Sequence, residues 1–149
     1  MSPKAEFPDY FREIQVKFSR FYAHTLNKAN LSLSQYALLN QLATAGPIPM
    51  TEVGEKLHIT KPAVTHLVDR LEKNKFLKRL SHPHDRRVYL LKISPKGMKL
   101  TRRIQEQVLN IVAETLKHFS ADERQTIIRY QKLVSKTVDQ VLNQAKGNK

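Results

Sequence analysis

At 149 residues, 40% of them apolar, the chain is long enough for one domain with a real hydrophobic core. It has no cysteine, which excludes disulfides, thiolate metal sites and cysteine-based redox sensing, and no apolar run reaches bilayer length. Formal net charge is +13, and residues 61–103 carry 13 basic and 3 acidic side chains, against 6 and 5 in residues 1–60 and 7 and 5 in residues 104–149. Met1 to Asp9 has no apolar stretch of signal-peptide type, so a cytoplasmic protein is expected. A positive window this concentrated favours a polyanionic partner, either nucleic acid or an anionic membrane surface. No basic helix with a bulky apolar anchoring face stands out in that window, so nucleic acid is favoured and no membrane partner is expected.

In chain order, Phe11, Ile14, Phe18, Phe21, Tyr22 and Leu26 recur at spacings of mostly three and four. They predict an amphipathic helix over residues 9–30. Ser32 and Gln35 form a capping-box pattern opening a helix through Leu42, which Gly46-Pro47 ends. Thr51 is expected to cap a short helix running to Leu57. His58-Ile59-Thr60 is a tight connection, and Thr60 caps a helix whose apolar positions are Val64, Leu67, Val68 and Leu71. Phe76 to Ser81 and Val88 to Ile93 predict strands, with a hairpin tip of His82-Pro83-His84-Asp85-Arg86-Arg87 between them. Ser94-Pro95 starts a helix to about His118, and Ser120 with Glu123 caps a last one along Ile127, Tyr130, Val134, Val138 and Val141.

Short helix, tight turn, capped helix and basic hairpin make the layout of a winged helix-turn-helix. The outward face of the helix after Thr60 shows Lys61, Thr65, His66, Asp69 and Arg70. Its N-terminal residues Lys61, Pro62, Thr65 and His66 are the expected contacts with base edges in a major groove. Lys61 suits guanine O6 or N7, Thr65 donates or accepts, the Pro62 ring suits a thymine methyl, and Arg70 is better placed for a phosphate. An ordinary mixed surface helix would show a similar face, and the hairpin shifts the balance. Arg86 and Arg87 at its tip, with Lys78, Arg79 and Lys92 alongside, have only Asp85 nearby in sequence to offset them. Such arginines suit a narrow minor groove. Asp85 is expected to pair with Arg87 and stiffen the tip.

These residues resemble a known family. Leu57 to Lys73, with Thr60-Lys61-Pro62-Ala63-Val64-Thr65-His66 at its centre, is similar to the helix-turn-helix of the MarR (multiple antibiotic resistance regulator) family. Arg79 to Gly97, with Pro83, Asp85, Arg87 and the closing Ile93-Ser94-Pro95-Lys96-Gly97, resembles that family's wing and its junction to the next helix, and Leu33 to Leu42 matches the helix before. The resemblance implies a mainly α fold with a small β wing. A winged helix-turn-helix lobe (31–94) would lie between dimerisation helices (9–30 and 95–145) in a single MarR-like domain (1–149). It also implies a homodimer on a pseudo-palindromic operator in double-stranded DNA, with Asp85 orienting the wing arginine. Most members repress, and many release DNA when a small molecule binds. Basic surroundings hint at an anionic aromatic effector, with a pocket on the first helix, the helix from Ser34 and the helix after Ser94. Two departures stand out: Lys75 occupies a position usually glycine, so Asn74 is expected to take the left-handed turn, and Ser94 replaces a usual threonine.

No Gly-rich phosphate loop, nucleophile motif or carboxylate cluster is present, so no enzyme, catalytic residue or cofactor is expected. His82-x-His84 has no acidic or cysteine partner set nearby in sequence, and polar hairpin residues explain the pair without a metal. A non-specific architectural DNA-binding protein stays open beside the regulator.

Overall fold

A computed structural model of the protein describes residues 3–147. The elements run α1 (Pro3–Lys28), α2 (Leu33–Ala45), β1 (Ile48–Pro49), α3 (Met50–Leu57), α4 (Lys61–Lys73), β2 (Leu77–Ser81), β3 (Tyr89–Ile93), α5 (Pro95–Leu116) and α6 (Ala121–Gly147). This is the expected mainly α class with a small β wing. The chain forms two compact units, with the boundary between Gln105 and Glu106.

In the first unit the caps follow local chemistry. Ser32 Oγ accepts from the Gln35 amide at 3.2 Å while Gln35 Oε1 accepts from the Ser32 amide at 2.8 Å. Thr60 Oγ1 accepts from the Ala63 amide at 3.4 Å and opens α4. Thr51 does not cap α3; Pro49 occupies that place, with no side-chain bond. The reason is tertiary: Ile48 and Pro49 pair with Leu91 and Leu90 as β1, so α3 starts at Met50. The sheet order is β1-β3-β2, all antiparallel, with Leu77 opposite Ile93 and Ser81 opposite Tyr89.

Apolar positions three and four apart on α4 and the inner residues of the sheet meet in one core. Leu38, Leu39 and Leu42 of α2, Val53 of α3, and Val64, Val68 and Leu71 of α4 pack there with Leu77, Leu91 and Ile104, all buried. Each buried leucine contributes about 2 kcal/mol, whereas an exposed ion pair contributes under about 1 kcal/mol. The lobe is therefore held by this cluster, not by its surface charges. Gly54 lets the turn into α4 close tightly on α3, because a Cβ there would lie 3.0 Å from the Ile59 carbonyl oxygen.

The end of α4 departs from expectation. Lys75, not Asn74, adopts the left-handed conformation, with φ of 60° against −80° for Asn74. The Phe76 amide bonds back to the Leu71 carbonyl (2.9 Å) and the Lys75 amide to Glu72 (2.8 Å), the paired bonds of a Schellman ending, which place the positive φ at Lys75. Phe76 therefore stays outside β2. Its carbonyl accepts from the Ser94 amide (2.9 Å), while Ser94 Oγ donates to the Lys75 carbonyl (2.7 Å) and accepts from the Gly97 amide (3.0 Å). A lysine held at positive φ is strained. Lys75→Gly is expected to stabilise the protein by about 0.5–1 kcal/mol, read by urea denaturation; a variant less stable than the parent would contradict this.

In the second unit, the end of α5 and α6 are joined by a turn that Ser120 and Glu123 cap reciprocally, at 2.7 and 3.3 Å. Arg124 Nε also donates to the Leu116 carbonyl at 2.8 Å. Leu109, Leu133, Val138, Val141 and Leu142 are at least half exposed here, and Phe7, Tyr10 and Ile14 of α1 are as open in the first unit.

Candidate nucleic-acid interface

Packing of Val64, Leu67, Val68 and Leu71 inward leaves Lys61, Pro62, Thr65, His66, Asp69 and Arg70 exposed on α4. The β2–β3 hairpin carries Asp85, Arg86 and Arg87, also exposed. The fold brings part of this set together. A cleft of about 270 Å³ is lined by Met50, Thr51 and Gly54 of α3, Lys61, Val64 and Thr65 of α4, and Arg87, Val88 and Tyr89 of the hairpin. Lys61, Thr65 and Arg87 thus border one concavity, while Pro62, His66, Arg70 and Arg86 lie outside its lining. Thr65 Oγ1 donates to the Lys61 carbonyl at 3.3 Å, so its lone pairs are free to accept from a base donor.

Asp85 acts on the hairpin tip, by a route other than the expected ion pair. Its Oδ1 accepts from the Arg87 backbone amide at 2.9 Å, and its carbonyl accepts from the Val88 amide at 3.1 Å. No ion pair joins Asp85 to the Arg87 guanidinium among the described residues. The carboxylate therefore shapes the turn and leaves the guanidinium available. His84 donates its backbone amide to His82 Nδ1 at 3.2 Å, and no group of three or more potential metal ligands occurs among the described residues.

Near in sequence the wing cations have no acidic partner beyond Asp85, but in space one of them does. Arg79 of β2 reaches α4, pairing with Asp69 Oδ1 at 2.5 Å and with Glu72, whose Oε1 also accepts from the Arg79 amide at 3.1 Å. Partial burial works against the charged guanidinium. The bond to Asp69 and the charges of Glu72 and Asp69 outweigh it, holding Arg79 above its ordinary range. This clamp ties the first strand of the wing to the outer face of α4. Its partners are seven and ten residues away, too far for helical spacing to reveal. Among the described residues, Arg79 is the one cation of residues 61–103 with a carboxylate partner. Arg79→Ala would leave two carboxylates unpaired on the α4 face. It is expected to lower duplex affinity about tenfold or more while costing about 1–2 kcal/mol of stability. A gel shift and a melt on the same sample check both; unchanged affinity would remove the clamp from the interface.

No helix among the described residues is long and apolar enough to cross a membrane. Residues 31–89, which span the helix-turn-helix and wing, match the MarR family model. The HTH-type transcriptional regulator MhqR of Bacillus subtilis is 33% identical over 79 residues, 53% of this chain and 54% of that protein, so the match spans about half of that relative. The uncharacterized HTH-type transcriptional regulator YxaD of Bacillus subtilis is 31% identical over 96 residues, 64% of this chain and 67% of that protein. Among solved structures, the transcriptional regulator Tm0710 of Thermotoga maritima aligns with a TM-score of 0.70 at 25% identity, covering 93% of this chain and 98% of that one. With its helix-turn-helix, wing and closing helices in that order, the chain belongs to the MarR family of winged-helix transcriptional regulators.

Proposed function

We propose that the chain is a sequence-specific regulator that binds double-stranded DNA as a homodimer. The observation that carries this reading is the cleft where Lys61, Thr65 and Arg87 meet, within a stretch (residues 61–103) whose cations other than Arg79 lack carboxylate partners among the described residues. In this reading the lobe of residues 31–94 lays the N-terminal end of α4 in the major groove. Lys61, Pro62, Thr65 and His66 meet base edges, Arg70 a phosphate, and Arg86 and Arg87 the adjacent minor groove. The helices of residues 9–30 and 95–145 join two copies. The half-exposed apolar residues of α1, α5 and α6 support this, because such surface calls for cover. A two-fold dimer calls for a pseudo-palindromic operator with half-sites about 10 bp apart.

Repression, with release by a small molecule, completes the reading, as does a cytoplasmic location beside the DNA. A cavity of about 610 Å³ along α1 and the start of α2 is one place for an effector; its lining includes Phe18, Tyr22, Leu26 and Leu31. The lining carries no cation, so a preference for anions would have to come from elsewhere.

Selection of bound fragments from a random duplex pool tests the whole reading. A dyad-symmetric consensus is expected. Lys61→Ala and Thr65→Ala should each relax preference at particular base pairs by about 1–3 kcal/mol, whereas Arg87→Ala should weaken binding to all sequences. Equal affinity for random duplex and for the selected fragments would instead make the protein a non-specific architectural binder.

A further inference from the structure

A second cavity, of about 270 Å³, lies away from the α4–hairpin cleft. It is lined by Ala29 after α1, Phe76 between α4 and β2, and Lys96, Lys99, Leu100 and Arg103 of α5. Its floor is apolar: Phe76 is buried, and Ala29 and Leu100 are partly buried against the core. Its rim is wholly cationic. Lys96, Lys99 and Arg103 follow one another at spacings of three and four on α5, so they share one helical face. Like charges at that spacing repel, and the first turn of α5 carries no acidic residue, although a helix N-terminus favours one. No carboxylate pairs with any of the three among the described residues. Lys96 is held in place, donating to the Asn74 carbonyl at 2.9 Å with its ammonium 4.8 Å from the centre of the Phe76 ring. Local stability would not select this stripe, which marks it as a place where the sequence answers to something else.

We propose that this cavity binds a small organic phosphate, a phosphomonoester dianion whose apolar body lies on Phe76, Leu100 and Ala29. Three cations match a group bearing close to two negative charges better than a single carboxylate, which would leave most of the repulsion in place. The Arg103 fork and the two lysine point charges are the donor types that tetrahedral phosphate oxygens take. The apolar floor distinguishes an organic ester from inorganic phosphate. Because Lys96 holds the carbonyl of Asn74, the residue that caps the C-terminal end of α4, an occupant competing for that ammonium would act on the end of the helix proposed to meet the DNA. This consequence rests on the DNA-binding reading; the binding itself does not.

Calorimetry on the DNA-free protein tests binding alone, with phenyl phosphate, benzoate and inorganic phosphate as probes. Phenyl phosphate is expected to bind at one molecule per chain, at least about tenfold more tightly than either of the others. The double variant Lys99→Gln/Arg103→Gln, with an unchanged melting temperature, should lose at least about tenfold, and Lys132→Gln on α6 should lose nothing. Benzoate or inorganic phosphate binding as tightly as phenyl phosphate would overturn the proposal, as would no binding at millimolar probe or an indifferent double variant. The backbone phosphates of a duplex are the rival source. If the double variant loses phosphate-dependent affinity only for random duplex, with a shallower salt slope and no binding of phenyl phosphate by the parent, the stripe is a DNA contact and the small-molecule site is refuted. If the double variant instead loses phenyl phosphate while duplex binding is absent in the parent, the site stands and the regulator reading fails.

Discussion

Raising the salt from about 50 to about 200 mM is expected to weaken duplex binding by about 10³–10⁵-fold, the response of a protein making about six to ten phosphate contacts. The source is the window from Lys61 to Arg103. Of its 13 basic side chains, only Arg79 is neutralised by carboxylates among the described residues. The nine outside Arg79 and the α5 stripe of Lys96, Lys99 and Arg103 remain able to displace counterions from a duplex, and the proposed dimer would double that supply. Arg79 is expected to contribute to affinity without contributing to the slope, since its charge is already spent on Asp69 and Glu72. Arg87→Ala should flatten the slope by about one unit per chain, whereas Arg79→Ala should leave it within about half a unit. Fluorescence anisotropy with a labelled duplex at a series of salt concentrations measures all three. A slope shallower than about −3 for the parent would defeat the proposed interface, whatever the affinity.

Replacing Gly97 by alanine is expected to cost about 3 kcal/mol, lowering the melting temperature by roughly 10 °C at matched protein concentration. A Cβ at Gly97 would stand 2.1 Å from the Phe76 carbonyl oxygen and 2.9 Å from Ile93 Cγ1. The first of these is backbone, so no flexible side chain can yield. That oxygen accepts from the Ser94 amide at 2.9 Å, and Ser94 Oγ accepts from the Gly97 amide at 3.0 Å. Moving it would disturb the junction that closes the sheet onto α5. Two other glycines calibrate the effect. Gly54→Ala would meet the Ile59 carbonyl oxygen at 3.0 Å, a tight contact, and should cost less. Gly46→Ala has nothing within 4 Å, but a φ of 80° with ψ of −161° is a conformation essentially reserved for glycine, worth about 1–3 kcal/mol. Denaturant melts of the three variants should show the largest loss for Gly97→Ala. Gly97→Ala within about 0.5 kcal/mol of the parent would show that the α5 start is not held against Phe76 as described.

Much of the architecture was legible in the sequence because its signals are local. Ser32 with Gln35 and Ser120 with Glu123 cap their helices through atoms three residues apart, and the inward faces of α2 and α4 follow from apolar spacing within two turns. Spacing of this kind could not expose β1, two residues long and half proline, whose strand character comes only from lying beside Leu90 and Leu91. Nor could it expose the Arg79 clamp or the Lys96 bond to Asn74, which joins residues 22 apart.

By itself the sequence determined where α2, α4, α5 and α6 begin, which faces turn inward and that positive charge gathers between Lys61 and Arg103, since each depends on neighbours within a few residues or on counting. Tertiary structure decided the rest: that Lys75 takes the left-handed turn, that Asp69 and Glu72 are spent on Arg79, and that Lys61 and Thr65 share a cleft with Arg87. The physical reason is that charge and hydrogen-bond partners are chosen by distance in space, which exists only once the core has closed.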